Sequence, residues 1–278
     1  MNAVTPLVAA MAPRLRAVVL DLDGTLLDSE HGLGEQRIAA VQELQRAGLE
    51  VLLATGKIWP SIAWISDRLH LDGPHVTCNG GAIVTADGRL LHTFPLQHEA
   101  VHLIGAQLTR RKIPHALFLD DGAVVTPTRG PELDIVGLMG EPDPTEDDVG
   151  DRRTLKILGI VAEREEDGIR AAARDRAHVQ RTGPRFLEWT APGVDKGAGV
   201  RLATEALGCS TTDVIAIGDA ENDVPMLQVA GLSVAVAGAS APAVAASAIH
   251  LEQDLNWFLE LLAQIVSTAG GRRAGTAL

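Results

Sequence analysis

Asp21-Leu22-Asp23-Gly24-Thr25 sets two carboxylates two positions apart at the end of an apolar run, Ala17 to Leu22. Carboxylates that close repel one another unless a cation sits between them. Mg²⁺ suits the pair, because it takes oxygen ligands and leaves room for phosphate oxygens. Gly24 allows a sharp backbone turn, and Thr25 offers an amide and a hydroxyl to an anion. The same five residues also describe an acidic turn that caps the next helix, since Asp-Gly is common in turns. Thr55-Gly56-Lys57 closes a second apolar run, Glu50 to Ala54, with a hydroxyl, a glycine and an ammonium, the groups needed to hold a phosphoryl oxygen. A helix N-cap at Thr55 would use the same residues. Asp195-Lys196-Gly197 opens the helical segment Ala198 to Leu207 and puts an ammonium where helix N-termini bind anions, although a solvated surface lysine fits equally. Gly218-Asp219-Ala220-Glu221-Asn222-Asp223 follows a fourth apolar run, with Asp219 and Asp223 on one side of a helix start, as ligands or as caps.

These segments need a scaffold that collects them. Short runs rich in Val, Ile, Leu and Ala alternate with helix-length stretches, which predicts a parallel sheet with helices on its faces. Ala17–Leu22 and Glu50–Ala54 flank a helical spacing of Ile38, Val41 and Leu44 that stops at Ala47-Gly48. Val214–Ile217, Ser233–Val236 and Ala248–Leu251 resume the pattern. Ligands of such sheets bind outside the carboxyl ends of the strands, which is where all four segments fall. The middle reads differently. A hairpin is predicted at Ala82–Phe94, a helix at about Gln97–Arg111 and a second hairpin around Asp120-Asp121-Gly122. Strand Leu155–Val161, helix Glu165–Ala177 and strands His178–Thr182 and Arg185–Thr190 follow. The expected architecture is therefore α/β, a Rossmann-like parallel-sheet core (14–81 and 192–266) with an inserted α+β cap (82–191). A flexible leader (1–13) and a flexible tail (267–278) are expected to flank it.

Composition limits what such a fold could do. The chain has 278 residues, 46% hydrophobic and 22% charged, as a globular protein does. Its net charge of −12 and lack of a long basic run argue against nucleic acid as a partner. Any phosphate site on so acidic a surface must draw on local positive charge. No apolar stretch reaches the roughly 18 to 20 residues that span a bilayer. No basic residue precedes Leu7–Ala12, so a secretory signal is not expected, and Met11 is an alternative start. A cytoplasmic protein without a membrane partner is expected; nothing in the sequence sets an oligomeric state. Cys78 and Cys209 are expected as buried thiols, Trp59 and Trp64 as core, and Glu141–Asp148 as a solvated loop. His98 and His102 fall on one face of the cap helix.

In order, the four segments resemble the motifs of the haloacid dehalogenase-like phosphohydrolase superfamily. With the insertion between the Thr55 and Lys196 segments, and with Asn79-Gly80-Gly81 ahead of it, the chain is most similar to the Cof-type subfamily. The resemblance implies Asp21 as nucleophile, forming an aspartyl-phosphate, and Asp23 as the acid and base. It implies Mg²⁺ held by Asp21, Asp219 and the Asp23 carbonyl, with Asp223 as a further carboxylate at or behind the ion. Thr55 and Lys196 would hold phosphoryl oxygens, and Thr25, Gly56, Lys57, Asn79 and Asn222 would line the substrate site. Lys57 stands where the subfamily commonly has Arg, an ammonium in place of a bidentate fork. His250-Leu251-Glu252-Gln253-Asp254-Leu255 lacks the Asn-Asp-rich turn often found there. The implied substrate is a small phosphomonoester such as a sugar phosphate. A phosphotransferase passing the group to a sugar hydroxyl, or a sensor of a phosphorylated ligand, would use the same pocket.

Overall fold

The computed structural model describes residues 4–28, 32–173, 175–183 and 185–274. Helix α1 (Val4–Met11) leads into β1 (Ala17–Leu20), α2 (Glu35–Arg46), β2 (Glu50–Leu53) and α3 (Trp59–Leu69). Three short strands follow: β3 (His75–Thr77), β4 (Ala82–Val84) and β5 (Leu90–Thr93). The middle holds α4 (His98–Arg110), β6 (His115–Leu119), β7 (Val124–Thr126), α5 (Asp134–Leu138), β8 (Thr145–Glu146) and β9 (Thr154–Ile160). It ends with α6 (Glu166–Ala173), β10 (His178–Arg181) and β11 (Phe186–Thr190). The chain then returns through α7 (Lys196–Ala206), β12 (Val214–Gly218), α8 (Val224–Val229), β13 (Leu232–Ala235), α9 (Ala241–Ala245), β14 (Ile249–His250) and α10 (Leu255–Ala274).

The core sheet has the order β14-β13-β12-β1-β2, and all its neighbours are parallel. Every residue of β1 is buried, as expected for a strand covered by helices on both faces. Ile38, Val41 and Leu44 of α2 bury one face against this sheet, and Gly48, at φ 84°, lets the chain leave the helix. Because β1 pairs with β2 on one side and β12 on the other, the chain diverges in both directions from β1. That switch point brings the loops after β2, β1 and β12 side by side at one sheet edge, although they are far apart in sequence.

A second sheet, β10-β11-β9-β6-β7-β8, is antiparallel apart from its last pair. One face packs Leu117, Ile157, Leu187 and Trp189 against Ile104 and Leu108 of α4 and Ile169 of α6. The opposite face packs Phe118, Leu158 and Phe186 with Ile58 and Cys78, which come from the other sheet's side. This block therefore covers the core across an apolar seam.

Several expectations need correction. Hairpin β4–β5 does not join the six-stranded sheet; β4 pairs with β3, and Ala54 bridges Val76, so the hairpin belongs with the core strands. The leader is not free chain: Val4, Val8 and Met11 repeat at helical spacing and are buried against the core. None of its eight residues is charged, so the segment offered no charged face by which to recognise that helix. Likewise, α10 runs through Ser267 to Ala274, carried by Val266 at the core, so most of the expected tail is helical; residues 1–3 and 275–278 lie outside the described residues. Trp64 is 48% exposed, whereas Trp59 is partly buried and stacks on His75. Cys78 is buried but Cys209 only half so. His98 and His102 do share a face, with ring centroids 5.0 Å apart.

Candidate active site

Asp21 follows β1 directly, Asp219 follows β12, and Asp223 lies one short helical turn further on. One carboxylate oxygen from each lies within 4.8 Å of the others. Such a group of three like charges forms only where the fold compels it, and the adjacent strands β1 and β12 do so. Gly24, at φ 85°, keeps the loop close: a Cβ there would meet Asp219 Oδ2 at 2.5 Å. Burial, then the neighbouring Asp223, pushes the Asp21 carboxyl well above the usual carboxylate range, against the opposing pull of Lys196. Asp219 is raised for the same reasons, with Lys196 and a hydrogen bond from Thr25 Oγ1 (3.2 Å) acting the other way.

The compensating cation is Lys196, the first residue of α7 and 1% exposed. Its Nζ lies 2.5 Å from Asp21 Oδ1 and 2.6 Å from Asp223 Oδ1. Burial alone would lower its pKa, but the two carboxylates outweigh this and raise it. Asp223 Oδ2 accepts from the Asp219 and Ala220 amides at 2.9 and 3.0 Å, so both oxygens of Asp223 are engaged. Asp223 therefore holds Lys196 and the Asp219 loop in place, and Asp21 and Asp219 are left as the oxygens that face an ion. The set is all oxygen, anionic and crowded, which fits Mg²⁺ or a similar hard cation and no softer metal. The Asp23 side chain is not in this group. It is half-exposed and lies 3.3 Å from Lys57 Nζ.

Thr55 sits just past β2, 1% exposed, and its hydroxyl accepts from the Lys57 amide at 3.1 Å. Lys57 is buried as well and its ammonium also donates to the Met139 carbonyl of the inserted block. Asn79, in left-handed backbone at φ 53°, donates to Glu188 Oε2 at 2.6 Å and accepts from Asn222 Nδ2 at 3.2 Å. Asn79 and Asn222 thus hold one another as well as facing the cavity. The residues to which the resemblance gives catalytic, substrate-binding or metal roles, Thr25 and Lys196 included, lie together at this one edge.

Three further groups were not anticipated. Lys156 of β9 and Glu188 of β11, 3.1 Å apart and both buried, sit in otherwise apolar strands. A lone charge inside such a strand is itself a signal of a buried partner. Lys156 Nζ donates to the Gly56 carbonyl at 2.6 Å and lies 4.2 Å from the Phe118 ring centroid. Glu141 corrects the solvated-loop expectation: it is 8% exposed and accepts from Ser61 Oγ and, at 3.3 Å, from the Ile58 amide. Burial raises its pKa, with Lys156 opposing. These contacts tie the inserted block to the Thr55 loop and α3. Between the two lies a cavity of about 670 Å³, lined among others by Asp21, Thr55 and Asp219 from the core and by Leu158 and Thr182 from the inserted block.

A parallel α/β sheet thus gathers aspartates and a buried lysine on its switch-point loops beneath a covering block. The model of the haloacid dehalogenase-like hydrolases matches residues 18–253, and the chain belongs to that family. It is 30% identical over 250 residues to the HMP-PP phosphatase of Shigella flexneri serotype 5b, an alignment covering 85% of this chain and 89% of that protein. It is 28% identical to the chloroplastic endoribonuclease YBEY of Arabidopsis thaliana, and that alignment covers 87% of this chain but only 45% of the longer plant protein. Among solved structures, BT1666 of Bacteroides thetaiotaomicron, from the haloalkanoate phosphatases, superposes with a TM-score of 0.78 at 22% identity, covering 91% of this chain and 96% of that one. The subclass IIB sugar phosphatase BT4131 gives 0.75 at 19% identity, covering 93% and 99%. These two likenesses are of fold. No helix among the described residues is long and apolar enough to cross a membrane.

Proposed function

We propose that this protein hydrolyses small phosphomonoesters through a covalent phosphoryl intermediate on Asp21. The observation that carries the reading is the convergence of Asp21, Lys196, Asp219 and Asp223 from opposite ends of the chain, beneath a cavity large enough for a metabolite. The phosphatase activity named for the Shigella relative agrees with it.

In this reading an Asp21 carboxylate oxygen attacks phosphorus, and the bond to the leaving oxygen breaks. Asp23 protonates that oxygen as the alcohol departs. It then takes a proton from the water that attacks the aspartyl-phosphate, which returns free Asp21 and releases phosphate. Lys57 supports this role by holding Asp23 at 3.3 Å while anchored to the Met139 carbonyl. Lys196 and the Thr55 loop offer donors to the phosphoryl oxygens, so charge developing during transfer meets groups already in place. Asp21, Asp219 and the Asp23 carbonyl would hold Mg²⁺, which supplies charge neutralisation for the phosphoryl group. Lys156, Glu188 and Glu141 tie the covering sheet to the Thr55 loop and α3 beside the site of the covalent intermediate. Release of inorganic phosphate from a panel of phosphorylated metabolites, with Mg²⁺ and after chelation, tests the reading. Metal-dependent release supports it; binding of a phosphorylated ligand without release would move the protein to the sensor class, and transfer to a second hydroxyl to the phosphotransferases.

A further inference from the structure

Lys156 belongs to β9 of the covering block, is 1% exposed, and reaches across to the loop after β2. A buried ammonium needs anionic partners, and Glu188 and Glu141 supply them at 3.1 and 3.8 Å. Its shortest contact is to neither. Nζ lies 2.6 Å from the Gly56 carbonyl, whereas a lysine placed only to neutralise two carboxylates would sit closest to them. That carbonyl shares a peptide unit with the Lys57 amide, which donates to Thr55 Oγ1 at 3.1 Å. The Gly56–Lys57 peptide is therefore held at both ends, by a cation on its oxygen and by the Thr55 hydroxyl at its N–H. A cation on the carbonyl polarises the unit and strengthens the donor at its other end. Because Thr55 Oγ1 accepts this bond, its own proton is directed away from the peptide, and no acceptor among the described residues takes it. Thr55 lines the cavity together with Asp21, so that proton is available to a phosphoryl oxygen. Glu188 extends the line on the other side: its Oε2 accepts from Asn79 at 2.6 Å, and Asn79 accepts from Asn222, the neighbour of Asp223.

Resting on the phosphatase reading, we propose that Lys156 is a positioning residue for phosphoryl transfer. Through the Gly56–Lys57 peptide it holds the Thr55 hydroxyl as a donor toward the transferring group, and it does so only while the covering block is seated on the core. Glu188, Glu141, the Gly56 carbonyl and the Phe118 ring at 4.2 Å enclose the ammonium, so it acts through Thr55 and not on the substrate. Removing one preorganised donor from a transition state costs about a hundred- to a thousandfold in kcat; misaiming one should cost roughly ten- to a hundredfold.

A double-mutant cycle on kcat tests this, with p-nitrophenyl phosphate and Mg²⁺, in variants shown by thermal unfolding to be folded at the assay temperature. Lys156→Met/Glu188→Gln removes the ammonium together with its nearest buried charge. The new amide oxygen can still accept from Asn79, and Glu141 keeps Ser61 and the Ile58 amide. The pair should lower kcat roughly ten- to a hundredfold while KM moves by less than about threefold. In a Thr55→Val background the same pair should cost no more than about threefold, because the hydroxyl it acts through is gone. A full, multiplicative loss in that background overturns this inference, as does a folded pair variant with the wild-type kcat; either result leaves the phosphatase reading standing. Lys156→Gln keeps a donor beside Glu188 but is too short for the Gly56 carbonyl, and it carries the same cycle should the pair variant not fold. Absence of phosphate release by the wild type takes down the phosphatase reading and this inference with it.

Discussion

Replacing Lys196 with methionine keeps a long side chain but removes the only ammonium in contact with Asp21 and Asp223 among the described residues. Both carboxylates are nearly inaccessible, at 5% and 0% exposure, so neither can recover its partner from water. Breaking a buried ion pair by removing one member typically costs about 3–5 kcal/mol. Two features put this case near the lower figure. Asp223 keeps its two amide donors, and Asp21, already raised by burial, can take up a proton. For a chain of this size a loss of about 3 kcal/mol lowers Tm by roughly 6–12 °C. The sign with pH follows: a carboxyl whose folded pKa lies above its unfolded one is penalised as pH rises, so the deficit should be smaller at pH 5 than at pH 8. Thermal unfolding of wild type and Lys196→Met in chelator, at both pH values, measures this. A variant within 2 °C of wild type at both, on the order of 0.5 kcal/mol by the same conversion, would refute the idea that Lys196 compensates this cluster.

Other outcomes follow from the same geometry. His75 accepts from the Leu53 amide and is held neutral by burial at a pKa of about 4, so stability should rise by about 3 kcal/mol between pH 4 and 6.5 and the rise should flatten in His75→Gln; urea midpoints across that range test it. Gly80, at φ 95°, lies where a Cβ would strike the Asp195 carbonyl, so Gly80→Ala should destabilise by at least about 2 kcal/mol and lower kcat by disturbing the cap of α7, measured by thermal unfolding and turnover. Lys57→Ala should lower kcat about tenfold or more, with Lys57→Arg retaining part of it, in steady-state assays with p-nitrophenyl phosphate.

The placement of the candidate residues was legible where they sat on strand ends. Asp21, Thr55, Lys196 and Asp219 each abut an apolar run or a helix start, and a parallel sheet leaves such positions few places to go. What was hidden depends on contacts between segments. Glu141 reads as one acid among several in a polar stretch, and only the approach of Ser61 and Ile58 buries it. Lys156 and Glu188 each place a charge in an apolar strand, a signal not taken up from the sequence, and their pairing needs the register of β11 on β9. Hairpin β4–β5 was legible as a hairpin, while its sheet was not, because the pairing of β4 with β3 depends on the turn at Cys78–Gly80.

The central claim is that Asp21 forms the bond to phosphorus, and the rate of phosphate release from p-nitrophenyl phosphate by wild type and Asp21→Asn, both with Mg²⁺, tests it most directly. The account predicts turnover by wild type and a loss of at least about a thousandfold in the variant. Turnover by Asp21→Asn at the wild-type rate would contradict it.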